Sequence, residues 1–214
     1  MQEKIGNVIL DDRFYQGKDL YSDGSIEDRI LDICKNQKQD DILRMSSEWP
    51  ILYHLSDIRE NILEWYPFTK QDDILEIGSG CGAITGLLAK KAKSVTCVEL
   101  SKKRSLINAY RNQLYDNITI MLGNFGDITL EQCFDYITLI GVWEYSGLYV
   151  DGMNPYLTLI EQLKRYLKPQ GKIIIAIENK MGLKYWNGAP EDHTGTLYSG
   201  LNDYTSEDHI RTFS

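Results

Sequence analysis

Apolar residues recur along this chain with two different periods, and the change falls near residue 70. In SIEDRILDICKNQ, residues 25–37, Ile26, Ile30, Leu31 and Ile33 stand at helical spacing, and Ser25 and Asp28 are placed like a capping box. WPILYHLSDIRENILEWYPF repeats the spacing with Leu55, Ile58, Ile62, Leu63 and Trp65, and Pro67 ends it. Residues 1–70 therefore predict a helical cap or extension with many aromatic side chains. Beyond them, strand-like runs at 73–77, 94–99, 118–122, 135–140 and 172–177 alternate with helical patterns at 83–91, 102–114 and 155–167. Such alternation with short connections predicts right-handed crossovers. The fold class expected is α/β: a Rossmann-like, doubly wound, mostly parallel sheet with helices on both faces. Residues 71–180 form its core, and residues 181–214 read as a loop region on the substrate side.

DDILEIGSGCGAIT, residues 72–85, runs from the first of these strands into a glycine-rich turn and an expected helix. Ligands of open sheets bind beyond the carboxyl ends of the strands, near the switch in strand order, and this turn occupies that place. Gly78, Gly80 and Gly82 let a ligand approach bare backbone, and a helix starting near Gly82 would offer free N–H groups. Residues 78–83 also satisfy GxGxxG/A, and Glu99 ends the next strand about 20 residues on, as a dinucleotide fingerprint requires. A carboxylate there accepts both hydroxyl hydrogens of a ribose, whether of NAD(P) or of S-adenosyl-L-methionine. A tight turn with no ligand is the plain alternative. Glu76 favours S-adenosylmethionine: a carboxylate in an apolar strand needs a partner, and the methionyl ammonium would be one. MLGNFGD, ending the third strand, would set Asn124 and Phe125 against an adenine.

Composition narrows the partners. The chain has 214 residues, 43% hydrophobic and 25% charged, as ordinary globular proteins do. Its net charge of -8 argues against a broad nucleic-acid surface. The four cysteines have no CxxC spacing and the three histidines no paired spacing, so no metal site is predicted. No secretory signal or membrane span is evident, and a cytoplasmic location is expected.

In sequence, residues 72–178 resemble the core of class I S-adenosylmethionine-dependent methyltransferases. LEIGSGCG is similar to their glycine motif, VTCVELS to their acidic second-strand end and FDYITLIGVWEY to their fourth-strand motif. LKPQGKIIIAIEN is similar to their Lys-Pro-Gly-Gly turn and fifth strand, with Gln170 replacing one glycine. The resemblance implies that Glu76, Gly78, Ser79, Gly80 and Gly82 hold the methionyl part and Glu99 the ribose. It likewise implies that Leu100 lies against the adenine and Asn124 receives the adenine amino group, with Phe125 and Gly141 also counted among the cofactor-binding residues. The family often has Asp where Asn124 stands. LYSDGSIEDRIL, YHLSDIRENILEW and ENKMGLKYWNGAPEDHTG resemble a bacterial subgroup associated with glycosyltransferases in cell-surface polysaccharide synthesis. That implies a sugar or glycan acceptor and a glycosyltransferase in the same polypeptide or pathway.

A hydroxyl acceptor must lose a proton, so a base is expected. His193, Asp192 and Glu191 in APEDHTG, and next Glu144 in GVWEY, follow strands on the ligand side and are the candidates. Local turn hydrogen bonding is the competing role for each. Two other functions remain open: a nicotinamide-dependent oxidoreductase, and a cofactor-binding domain without turnover in a polysaccharide-synthesis protein. The β-branched run at 172–177 suits a strand covered on both sides, and family members usually carry one more helix and two strands after it. The expectation is therefore that the chain is the front part of a longer polypeptide.

Overall fold

The computed structural model describes residues 1–214. Seven strands, β1 (Gln2–Ile5), β2 (Val8–Asp11), β3 (Asp73–Ile77), β4 (Ser94–Glu99), β5 (Ile118–Leu122), β6 (Phe134–Ile140) and β7 (Leu167–Ala176), form one sheet. Their order is β1-β2-β5-β4-β3-β6-β7, antiparallel only between β1 and β2. From β3 the chain winds outward to β4 and β5, then returns across β3 to β6 and β7. The switch point therefore lies between β3 and β6, directly beneath the glycine turn. This is the Rossmann-like, doubly wound sheet expected.

The helices are α1 (Ile26–Lys35), α2 (Gln39–Met45), α3 (Trp49–Leu55), α4 (Asn61–Glu64), α5 (Thr85–Lys91), α6 (Lys102–Arg111), α7 (Ser146–Tyr149), α8 (Pro155–Lys164) and α9 (Leu183–Trp186). None is long and apolar enough to cross a membrane. Strand pleating divides the core between the faces. Ile74 of β3 packs with Leu88 of α5 and Ala109 of α6, whereas Leu75 and Ile77 pack with Leu159 and Leu163 of α8. A third cluster joins Ile30 and Ile33 of α1 and Ile51 of α3 to Ile107 of α6 and Cys81 of the glycine turn. The helical cap is thus anchored beside the ligand end of the sheet.

The first eleven residues depart from the helical expectation. They form a hairpin whose second strand pairs in parallel with β5, and Ile5, Val8 and Leu10 enter the main core. Gly6 and Asn7 make its two-residue turn, the residue types such a connection needs. The pattern at 49–68 also breaks. Extended Ser56 separates α3 from a 3-10 turn at Asp57–Glu60, so Ile58 and Trp65 are exposed and only Leu55 and Leu63 of the stripe are buried. Ser25 makes no side-chain cap; Glu27, fully buried, receives Ser22 Oγ at 2.7 Å instead.

β7 is an edge strand and half-exposed, not covered on both sides. It begins five residues before the β-branched run, with a register irregularity against β6. Gln170, standing where the resembling motif has a glycine, adopts φ +73° there.

Candidate functional site

A cavity of about 210 Å³ opens at the carboxyl ends of the central strands. Eight of the residues singled out in the sequence line it: Gly78, Ser79, Gly80, Glu99, Leu100, Asn124, Phe125 and Gly141. They come from four successive strand ends, which parallel pairing brings to one edge of the sheet. Gly78 has φ +66°, and a Cβ there would lie 2.5 Å from Val142 Cγ2. Only glycine lets the turn lie this close to the end of β6.

Glu99 is the floor of the cavity. It is 6% exposed, and its carboxylate accepts the Gly80 amide at 2.7 Å and the Ser101 amide at 2.9 Å. Burial pushes its pKa above the ordinary value, against those backbone donors. Two donors leave lone pairs free for a diol, since a carboxylate offers about four acceptor sites. Asn124 Oδ1 accepts the Gly126 amide at 3.1 Å, and its Nδ2 donates to the Tyr149 carbonyl at 3.3 Å. Beside it Phe125 and Leu100 present apolar surface.

Two predicted ligand residues lie elsewhere. Ile74 and Glu76 share one face of β3, and that face meets α5. The Glu76 carboxylate therefore lies under the turn, accepting Thr85 Oγ1 at 2.6 Å and Cys97 Sγ at 3.4 Å. Burial raises its carboxyl to about 7. The buried acid has donors without any ligand ammonium, so its place in an apolar strand does not discriminate between nucleotides. Gly82 packs against α6 rather than facing the cavity: a Cβ there would lie 2.6 Å from Asn108 Cγ. The helix itself begins at Thr85, three residues later than expected.

The N-terminal part supplies the opposite wall, which periodicity did not reveal. Asp19 receives Ser101 Oγ at 2.9 Å and the Lys102 amide at 2.7 Å, tying residues 12–24 across the start of α6. Tyr21 and Asp23 then reach the cavity, joined by Tyr53, His54 and Arg59. Asp23 bridges Arg104 at 2.5 Å and His54 Nε2 at 3.0 Å. Burial and the Arg104 charge lower the pKa of His54. Arg59 forms no ion pair; its guanidinium lies over Tyr53 at 4.5 Å and borders the cavity. An uncommitted arginine beside backbone amides favours an anionic ligand group.

A family model described as a methyltransferase domain matches residues 75–175, from within β3 to within β7. Over that stretch, a little under half of the chain, the sequence is similar to the methyltransferase-domain family. Phosphoethanolamine N-methyltransferase 1 of Haemonchus contortus, solved with phosphoethanolamine and S-adenosylhomocysteine, shares the fold. It is 18% identical, with a TM-score of 0.55, over 91% of this chain and 40% of that one. The N-methyltransferase NodS of Bradyrhizobium japonicum, solved with S-adenosyl-L-homocysteine, is similar at 19% identity and a TM-score of 0.49. There 72% of this chain and 78% of that one are covered. A SAM-dependent methyltransferase of Thiobacillus denitrificans, also solved with S-adenosyl-L-homocysteine, is 16% identical. Its TM-score is 0.46, over 61% of this chain and 56% of that one. No curated protein sequence matches the chain significantly.

Of the residues expected to handle a proton, Glu144 and His193 converge and Asp192 does not. Glu144, in the 3-10 turn after β6, is 1% exposed, and burial pushes its carboxyl up to about 7. Its ligand atom lies within 4.8 Å of those of His193 and of Glu178, which follows β7. Glu178 was legible as an acid at a strand's carboxyl end, but only the fold joins it to Glu144. Asp192 is directed away, to the Lys184 ammonium and to Tyr185 Oη at 2.7 Å. Against burial, those bonds hold its pKa below the ordinary value. Tyr185 is buried, and neither it nor Trp186 or Tyr198 lines the cavity.

Proposed function

We propose that the chain is an S-adenosyl-L-methionine-dependent methyltransferase that modifies a hydroxyl of a sugar or glycan. The observation that carries the cofactor reading is the Glu99 carboxylate at the floor of a cavity closed by the Gly78–Gly80 turn, within the methyltransferase-domain stretch. The lining suits that cofactor along its length. Glu99 accepts the ribose hydroxyls, Leu100 and Phe125 hold the adenine, and Asn124 offers its second carbonyl lone pair to the adenine amine. Gly78, Ser79 and Gly80 flank the methionyl part, Gly141 closes the far side, and Arg59 receives the carboxylate. Glu76 and Gly82 support this turn from beneath.

Bound S-adenosylmethionine supplies an electrophilic methyl group on a sulfonium, whose thioether leaves without acid assistance. The protein's task is to place the acceptor in line with the methyl group, at about 3–3.5 Å, and to manage the acceptor's proton. Tyr21 and Tyr145, both lining the cavity, meet edge-to-face with ring centres 6.0 Å apart, offering a face for a sugar ring. Beyond Tyr145 the corner formed by Glu144 and His193 is where the acceptor oxygen and its proton are handled. The motif resemblance in residues 20–31, 53–65 and 178–195 supports a glycosyltransferase as the functional partner and the cytoplasm as the location.

Calorimetric titration with S-adenosylhomocysteine and separately with NADH tests the cofactor. Binding of the first alone is expected; binding of NADH alone would move the chain to the oxidoreductases. Labelled methyl transfer to sugar hydroxyls then tests the acceptor. Cofactor binding with no transfer to any glycan would instead favour a non-catalytic domain.

A further inference from the structure

We infer that Glu144, Glu178 and His193 form a binding site for one first-row divalent cation beside the methyl-transfer cavity. Their three ligand atoms lie within 4.8 Å of one another and come from three segments: the turn after β6, the end of β7 and the loop after α9. The independent sign of a ligand is Glu144 Oε2. The residue is 1% exposed, yet this oxygen has no hydrogen-bond partner. No lysine or arginine pairs with Glu144 or with Glu178. A buried carboxylate oxygen without a hydrogen-bond donor is destabilising, and a cation between the two acids supplies what is missing.

The imidazole is prepared for the same role. His193 Nδ1 lies 2.9 Å from Glu191 Oε1, leaving Nε2 for a metal. Glu191 is 2% exposed and held by the His193 amide at 2.8 Å, the Thr194 amide at 2.7 Å and Tyr204 Oη at 3.2 Å. A carboxylate that fixes the second ring nitrogen is the usual support of a metal-binding histidine. Two carboxylates and one neutral imidazole balance a 2+ charge. The mixed oxygen and nitrogen set suits Mn²⁺, Fe²⁺ or Zn²⁺ better than the all-oxygen shells of Mg²⁺ and Ca²⁺. Three protein ligands leave coordination positions open on the side of exposed Glu178.

The cation would lie against the cavity wall. Glu144 Oε1 is 3.7 Å from where a Cβ of Gly141 would stand, and the His193 ring packs edge-on against Tyr145 at 5.3 Å. Both Gly141 and Tyr145 line the cavity. The inference rests on reading this corner as the acceptor side and names the agent there: a cation that holds the acceptor oxygen, with Glu144 and His193 as its ligands.

Mn²⁺ titration of the full chain, followed by the loss of free-ion electron paramagnetic resonance signal, tests this directly. One site per chain is expected, with affinity at least tenfold lower in Glu178→Gln and in His193→Ala, and competed by Zn²⁺. Glu178 is exposed, so its replacement leaves the core intact. Absence of a Mn²⁺ site at millimolar ion, or a site unaffected by both substitutions, would overturn the proposal. S-adenosylhomocysteine titration of the same preparation without metal reports separately on the cofactor assignment.

Discussion

The carboxylate of Glu99 receives the amide of Gly80 at 2.7 Å, so the end of β4 holds the glycine turn that follows β3. One acidic side chain thereby shapes the turn and forms the floor of the cavity. Its replacement should act on both. Glu99→Gln retains an acceptor for one amide but loses the charge. S-adenosylhomocysteine affinity is expected to fall roughly tenfold to a hundredfold, as for loss of charge-assisted hydrogen bonds. Calorimetry checks this, and unchanged affinity would remove Glu99 from the ribose site.

Arg59 gives a prediction specific to one end of the ligand. Arg59→Ala should weaken S-adenosylhomocysteine by about tenfold, within the range for a charge-assisted bond. It should leave methylthioadenosine, which lacks the amino-acid portion, nearly unaffected. Equal losses for both ligands would place Arg59 away from the carboxylate.

Gly82 should tolerate no side chain. Its φ is +76°, and a Cβ would press on Asn108 and Asn112 of α6. Gly82→Ala is expected to cost about 2 kcal/mol through the left-handed backbone and the overpacked contact. Urea denaturation measures it. Because Gly82 lies beneath the turn, the loss should appear in stability more than in ligand affinity.

Glu76 predicts a pH dependence of stability with a definite sign. Its buried carboxyl titrates near 7, raised from 4.5 in the reference state. The native state therefore binds the proton more tightly than the unfolded chain. Its contribution is fully present below pH 4.5, declines through the window up to about 7 and is absent above it. The span is about 3 kcal/mol at most. Glu76→Gln should remove this part of the slope in denaturation curves collected across that window. Identical slopes for the two proteins would show that Glu76 is ionised throughout.

The N-terminal hairpin should behave as core. Leu10 is 3% exposed and packs in the main cluster with residues of β3, β4 and β5. Leu10→Ala is expected to cost about 2–4 kcal/mol, as for other buried leucines. A loss under 0.5 kcal/mol would mean that the hairpin is a dispensable appendage.

Much of the fold was legible because it is written in local patterns. All five expected strands of the parallel sheet and their three helices are present, with ends displaced by a few residues, since sequence period does not mark caps sharply. The hairpin was missed although Gly6 and Asn7 separate two short apolar runs, a signal available in the chain. At 49–68 the helical period was present, but Ser56 and the turn after it broke the stripe for tertiary reasons. In the site, the glycine turn and Glu99 were legible because residue type and spacing follow from strand connectivity. The role of Glu76 is not legible from residue type, because an acid in an apolar strand can be satisfied by a neighbouring hydroxyl as well as by a ligand. Arg59 and Asp23 carry no local sign of their place.

The sequence by itself determined the alternation of strands and helices, the turn at the switch point and the acid that faces it. These depend on neighbours within a few residues or on the fixed geometry of a strand–helix–strand unit. Only the tertiary structure decided which face Glu76 meets, which residues of the first sixty close the cavity and which acids surround His193. Those relationships join distant segments, as Tyr21 meets Tyr145, and no periodicity along the chain encodes a contact between two side chains that packing alone brings together.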